Sequence, residues 1–100
     1  MIYKVKAKFI QKQSKEFLKL LTDGTIEKQQ PDGPYIVDAM NKAKIDNEGF
    51  VNWTEFCLCP TPLYHERSTV YDKFFKDFQT EEVDKQLNFE GKSFINSISK

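Results

Sequence analysis

The sequence predicts an α+β domain in which helices pack on one face of a mostly antiparallel sheet. Residues 1–10 alternate between apolar and lysine side chains, which is typical of a strand with one buried face. Segments 12–22 and 34–44 carry apolar residues at helical spacing. Residues 50–59 are rich in strand-favouring side chains and predict a second long strand. A length of 100 residues fits a single domain, 1–100.

The first two elements are the clearest. In the first strand, the side chains that point one way are Tyr3, Val5, Ala7 and Phe9, and those that point the other way are Lys4, Lys6 and Lys8. In the helix at 12–22, Phe17, Leu18 and Leu21 share one face. Gly24 ends this helix, because glycine readily adopts the left-handed conformation at a helix C-terminus.

The middle of the chain predicts a weak strand, a helix and a strong strand. Residues 25–30 are polar except for Ile26 and indicate a weak edge strand. Asp32 is the predicted cap of the helix at 34–44. A turn at 46–49 leads into the strand at 50–59, whose two alternating sets of side chains both mix apolar with polar residues. The pattern therefore leaves open which face of that strand is buried.

The last third begins with the predicted helix at 62–78, which opens at Thr61 and Pro62. A short strand at 79–83 and a terminal helix at 90–98 follow. Apart from the helix at 34–44, which is extra and precedes the third strand, this is the βαββαβ order of the ferredoxin-like fold. The fourth strand would then lie beside the first and bring Glu81 or Glu82 next to the lysines, where each opposite-charge pair contributes about 0.2–1 kcal/mol.

Composition narrows the class of protein. The net charge is zero and 39% of residues are hydrophobic, including nine Phe, four Tyr and one Trp, which argues against disorder. No apolar run approaches the roughly 18 residues that span a bilayer. The N-terminus lacks the apolar block of a signal peptide, so we expect a cytoplasmic protein without membrane contact.

Arg67 is the most unusual residue of the pattern. On a helical wheel of residues 62–78 it falls near the centre of an apolar arc of roughly 140°. An unpaired guanidinium aimed at a core is costly. Arg67 should therefore pair with a carboxylate such as Glu55, extend its head to water, or anchor a small anionic ligand. The structural explanations are favoured, because such arginines mostly serve structure.

Cys57 and Cys59 leave the same face of the predicted strand as Trp53 and Glu55, which raises the alternative of a thiol or metal site. The remaining ligands are missing: His65 lies opposite the apolar arc, and the standard Cys-x₂₋₄-Cys spacing is absent. Two reduced, buried cysteines are the simpler interpretation. We therefore expect no metal and no cofactor.

The predicted open face of the sheet is the remaining candidate site. Lys4, Lys6 and Lys8, with Trp53 as an aromatic anchor, form an expected interface for a protein partner or a second copy of the chain. Nucleic acid is not expected, because no aromatic–basic RNA-binding run is present and the net charge is zero. Enzyme motifs are also missing, so no catalytic residue is assigned.

One string has a resemblance to known proteins. Cys-x-Cys-Pro-Thr-Pro-Leu-x-His-Glu-Arg, residues 57–67, followed by Thr-Val-Tyr-Asp-Lys-Phe-Phe, resembles small bacterial proteins, cyanobacterial ones among them, that have no assigned function. The resemblance implies a bacterial, cytoplasmic protein and carries over no site residue. The leading expectation from the sequence is thus a non-enzymatic protein-interaction module. An anion-binding domain anchored by Arg67 and Glu55 is the alternative, and a thiol or metal site is a weaker one.

Overall fold

The computed structural model describes residues 2–29, 33–56 and 67–99. Its strands are β1 (Ile2–Phe9), β2 (Lys44–Ile45), β3 (Phe50–Phe56), β4 (Phe75–Val83) and β5 (Lys92–Ser93). Its helices are α1 (Ser14–Thr22), α2 (Gly33–Lys42), α3 (Asp72–Phe74) and α4 (Phe94–Ile98), with a 3₁₀ turn at Gln11–Gln13 and a π-helical turn at Arg67–Tyr71. The fold is α+β, as predicted.

The five strands form one antiparallel sheet in the order β4-β1-β3-β2-β5. The two longest pairings place β1 between β3 and β4. This order differs from a simple ferredoxin-like sheet, because β5 is added at the edge next to β2. The predicted proximity of β4 to β1 is confirmed, and Lys4 lies opposite Glu81 in the register.

The core lies between the sheet and the helices. Its strand residues come from the apolar set of β1 and from Val51, Trp53 and Phe75, while α1, α2 and α4 contribute Phe17, Ile36, Met40, Phe94 and Ile98. Aromatic rings dominate the contacts, with centroid distances of 4.5 Å between Phe17 and Phe74 and 5.0 Å between Phe9 and Phe94. Such pairs add to the hydrophobic contribution of their buried area.

Three predicted elements need correction. Residues 25–28 form a turn rather than a strand, and Ile26 is buried there, with its N–H donating to the Leu20 carbonyl at 3.2 Å. The predicted helix at 62–78 is wrong over 75–78, because the chain enters β4 at Phe75. The terminal helix is confined to Phe94–Ile98, since β5 takes the two residues before it. The start of the predicted helix, 62–66, and the Asp32 cap lie outside the described residues.

The turn between β2 and β3 is held by the side chain of Asp46. Its Oδ1 accepts the backbone N–H groups of Glu48 at 2.9 Å and Phe50 at 3.0 Å, and Oδ2 accepts from Asn52 Nδ2 at 3.3 Å. Burial alone would raise the pKa of the Asp46 carboxyl. The three hydrogen bonds and the nearby charge of Lys6 outweigh burial and hold the pKa below its ordinary value of 3.8.

This lowered pKa gives a pH-dependent prediction. Because the folded-state pKa of Asp46 lies below the unfolded one, its contribution to stability is complete above about pH 4 and is lost as the pH falls through the folded-state pKa. Asp46→Ala should therefore destabilise the protein at neutral pH, and the difference from the wild type should shrink below about pH 4. Urea unfolding at several pH values measures it, and a difference that stays constant down to pH 3 would contradict the assignment.

Candidate functional site

The side of the sheet opposite the core carries a cluster of side chains that we call the lysine face. It consists of Lys4, Lys6 and Lys8 on β1, Phe50 on β3 and Lys76 on β4. The register places Lys8 opposite Phe50 on one side and opposite Lys76 on the other, so these side chains share a face. The three β1 lysines are half-buried and Lys76 is exposed. The predicted position of the β1 lysines away from the core is confirmed.

Two of these lysines use Phe50 as a platform. The Lys6 ammonium lies 4.5 Å and the Lys8 ammonium 5.1 Å from the centroid of the Phe50 ring. A cation over an aromatic face is attracted by the ring quadrupole, at roughly 0.5–1 kcal/mol for exposed sites. The contact fixes both charges beside each other on the sheet and occupies the face of the aromatic ring.

The β4 residues that lie opposite these lysines change from negative through neutral to positive charge along the strand. Lys4 lies opposite Glu81, Lys6 opposite Gln79, and Lys8 opposite Lys76. The first pair joins opposite charges, whereas the last sets two positive charges directly against each other, which destabilises a sheet. Lys4 is therefore paired with an acid within the sheet and Lys6 lies near the Asp46 carboxylate, whereas Lys8 faces another cation.

A small cleft opens between β1 and β4 beside the pair of Lys4 and Glu81. It has a volume of about 150 Å³ and is lined by Lys4, Lys6, Gln79, Thr80 and Glu81. A break in the β1–β4 register between Lys6 and Lys8 lies next to it, and Asp77 in that part of β4 has a positive φ of 56°. The cleft gives the flat sheet a depression that is bordered by two ammonium groups.

Trp53, predicted to anchor the interface, does not belong to the lysine face. It is only 1% exposed and lies opposite Val5, so its ring belongs to the core. It contacts Tyr71 and Phe75 at centroid distances of 5.2 Å. The alternation along β3 could not reveal this, because the outer set mixes Phe50 with Asn52 and the core set mixes Trp53 with Glu55.

Glu55, predicted as a ligand-binding residue, is also in the core and is 2% exposed. Its Oε1 accepts a hydrogen bond from Trp53 Nε1 at 2.9 Å and another from the Tyr71 hydroxyl at 2.5 Å. Both donors belong to the aromatic cluster around it, so the carboxyl group is held by neighbours that come from β3 and from the π-helical turn. This arrangement can position and stabilise β3 against that turn.

Arg67 lies at the surface rather than on the core side, with its side chain 43% exposed. Its Nε donates to Asp72 Oδ1 at 2.9 Å, and its guanidinium lies 4.6 Å from the centroid of Phe78. Arg67 therefore has the ion pair that the structural explanation expects, but its partner is Asp72 rather than the suggested Glu55. The wheel failed because residues 67–71 form a π-helical turn and β4 begins at Phe75, so the angle of 100° per residue does not hold.

The thiol or metal alternative rests on three side chains of the segment 57–66. Cys57, Cys59 and His65 all lie outside the described residues. Among residues 2–29, 33–56 and 67–99, no group of three or more His, Cys, Asp or Glu side chains could hold a metal ion. Within the same ranges no helix has the length and apolar character needed to cross a membrane.

Sequence reasoning missed Lys76 as a member of the site. Its segment was predicted to be helical, and only the pairing of β4 with β1 brings Lys76 opposite Lys8. Comparison of the chain with protein-family models, with curated proteins and with solved structures found no match. The resemblance to small bacterial proteins thus stays a prediction, and the site has to be interpreted from its own geometry.

The hydrogen bond between Tyr71 and Glu55 can be tested by removing its donor. Tyr71→Phe keeps the ring in place but removes the hydroxyl, so we expect the free energy of unfolding to fall by about 1–3 kcal/mol, the cost of depriving a buried polar group of its partner. Urea denaturation measures the loss. Tyr35→Phe is the matched control, because Tyr35 is 49% exposed, and it should change stability by less than about 0.5 kcal/mol. Equal small effects of both variants would show that the buried bond is not stabilising.

Proposed function

We propose that the protein is a non-enzymatic protein-interaction module whose lysine face binds an acidic segment of a partner protein. The observation that carries this proposal is the pairing of Lys8 with Lys76 across neighbouring strands. Like charges in directly opposed positions destabilise the free sheet by a few tenths of a kcal/mol or more. A bound carboxylate between the two ammonium groups would turn this repulsion into two favourable interactions.

The rest of the lysine face suits the same partner. Phe50 holds Lys6 and Lys8 close together, at 4.5 Å and 5.1 Å from its ring centroid, and so concentrates positive charge at one place. The cleft beside Lys4 and Lys6 has a volume of about 150 Å³, which is room for a side chain rather than for a large ligand. Complementary charge of this kind mainly accelerates association and fixes the register of the partner.

Polypeptide is favoured over nucleic acid as the source of the negative charge. Single-stranded nucleic acids bind sheet surfaces by stacking bases on free aromatic rings. The Phe50 ring on this face is already covered by two lysine ammonium groups. A net charge of zero for the whole chain further limits the gain from phosphate contacts.

The test is a variant that should stabilise the free protein and weaken its binding of an acidic peptide. Lys76→Glu replaces the like-charge pair with an opposite-charge pair, so the free energy of unfolding should rise by about 0.5–1 kcal/mol. The same change should weaken the binding of a deca-glutamate peptide by roughly tenfold or more, because it adds repulsion where the carboxylate would lie. Urea unfolding and NMR titration measure the two effects on one sample.

Lys15→Glu is the matched control, since Lys15 is an exposed residue of α1, which packs on the core side of the sheet, and the substitution changes the net charge equally. It should leave the affinity for deca-glutamate within about twofold of the wild type. The proposal fails if Lys76→Glu binds the peptide as well as the wild type does. It also fails if an oligothymidylate of the same length binds more tightly than the peptide, or if the face proves to be occupied by a second copy of the chain.

The anion-binding alternative is less well supported. Arg67 is engaged by Asp72 at 2.9 Å and Glu55 is enclosed in the core, so the two residues do not form a joint site. A bacterial, cytoplasmic origin and a ferredoxin-like relationship remain parts of the proposal. The β4-β1-β3-β2 segment of the sheet order supports the second of these.

A further inference from the structure

Beyond Asn52, the outer edge of β3 has no neighbouring strand among the described residues, because β2 is only two residues long. Lys44 pairs with Asn52 and Ile45 pairs with Val51, and within the described parts of the chain no strand pairs with residues 53–56 on that side. The Asp46 N–H donates to the Phe50 carbonyl at 2.9 Å, so the backbone polar groups of Phe50 point toward β2. Alternate residues of an antiparallel strand share this direction, and the N–H and C=O groups of Thr54 therefore point to the open edge.

A cavity of about 410 Å³ lies at this edge. Its walls are the end of α2, the start of β2, the β3 residues Trp53 and Thr54, and the segment 86–89 that crosses from β4 toward β5. The volume is within the range of roughly 300–1,000 Å³ that is typical of ligand sites. Space is thus present where the backbone of β3 offers hydrogen-bonding groups.

The chemistry of the cavity walls matches a peptide. Three side-chain amides, Asn41, Gln86 and Asn88, line the cavity together with the open edge of β3. Amides donate and accept hydrogen bonds as peptide groups do, so these walls complement a second backbone. Unpaired strand edges bind extended peptides in the same way, by main-chain hydrogen bonds with side chains pointing alternately to the two faces of the sheet.

Charge and apolar surface indicate which peptide would fit. Lys44 and Lys42 lie on the cavity wall, and Lys42 shares its charge with the exposed Asp38 at 3.2 Å, which leaves Lys44 as the principal cation. At the far end of the strand, the exposed rings of Tyr35 and Phe56 lie 5.8 Å apart and offer an apolar contact. A peptide in which acidic residues alternate with apolar ones could contact both Lys44 and the two exposed rings.

We infer that the outer edge of β3 at Thr54 is a docking site for an extended acidic peptide, which adds to the sheet as a further strand beside β3. The site differs from the lysine face in position and in mode, since it depends on backbone hydrogen bonds rather than on charge alone. The two proposals can therefore succeed or fail independently.

The probe is the capped pentapeptide Glu-Val-Glu-Val-Glu, titrated into the ¹⁵N-labelled wild-type protein and followed by NMR. We expect saturable shifts of the Thr54 amide and of residues 41–44 and 86–89. Two further versions carry backbone N-methyl groups on all Glu or on all Val residues. Because only alternate N–H groups of a strand face its neighbour, one of these versions should lose binding and the other should keep it.

Variants check the location of the site. Lys44→Glu should weaken binding of the pentapeptide by roughly tenfold, while Lys28→Glu, an equal charge change on an exposed residue elsewhere, should not. Thr54→Pro removes the outward N–H, a change that edge strands tolerate, and should also abolish binding. Lys76→Glu should leave binding unchanged, which separates this site from the lysine face.

The inference is overturned by any of three results: no binding of the pentapeptide at millimolar concentration, equal binding of both N-methylated versions, or the same amide shifts with free glutamate. Loss of pentapeptide binding in Lys76→Glu would equally overturn it, because the peptide would then lie on the lysine face. The N-methyl series uses wild-type protein, so a variant that fails to fold does not affect the outcome.

Discussion

Val5 lies opposite Trp53 in the antiparallel pairing of β1 and β3, and this register assigns the side chains of both strands to their faces. A shift by one residue would bring the β1 lysines into the core and expose Val5 and Ala7. With the observed register, Trp53 and Glu55 enter the aromatic cluster and Phe50 meets Lys6 and Lys8 on the other side. The core and both candidate binding surfaces depend on this single alignment.

The register is supported from outside the strands. Trp53 and Tyr71 both donate to Glu55, so a buried carboxyl group joins β3 to the π-helical turn before β4. Asp46 holds the other end of β3 through the turn that follows β2. Buried polar groups stabilise a structure only when their hydrogen bonds are made, and a displaced strand would break these bonds. Polar contacts therefore add to hydrophobic burial in specifying the alignment.

The sequence predicted those parts of the fold that local patterns determine. The alternation in β1, the helical faces of α1 and α2 and the proximity of Glu81 to Lys4 follow from spacing and charge, and the structure confirms them. The buried face of β3 could not be predicted, because tertiary pairing with β1 decides between two mixed sets of side chains. Arg67 and the start of β4 were mispredicted because a π-helical turn changes the angular spacing of residues.

The proposed surfaces also depend on long-range pairing. Lys76 joins the lysine face only because β4 pairs with β1, and the cavity at Thr54 exists only because β2 stops after two residues. Neither feature has a local signature in the sequence. Among the described residues, both are places where a charge or a backbone group lacks the partner that a regular sheet would supply, which is where binding can contribute free energy.

Trp53 is the one tryptophan of the chain, so its fluorescence reports directly on the alignment of β1 with β3. The account predicts a blue-shifted emission in the native protein and little quenching by iodide, with both properties lost on unfolding in urea. A native emission close to that of the unfolded chain, together with ready quenching by iodide, would place Trp53 on the open face. That result would contradict the register on which the core, the lysine face and the edge of β3 all depend.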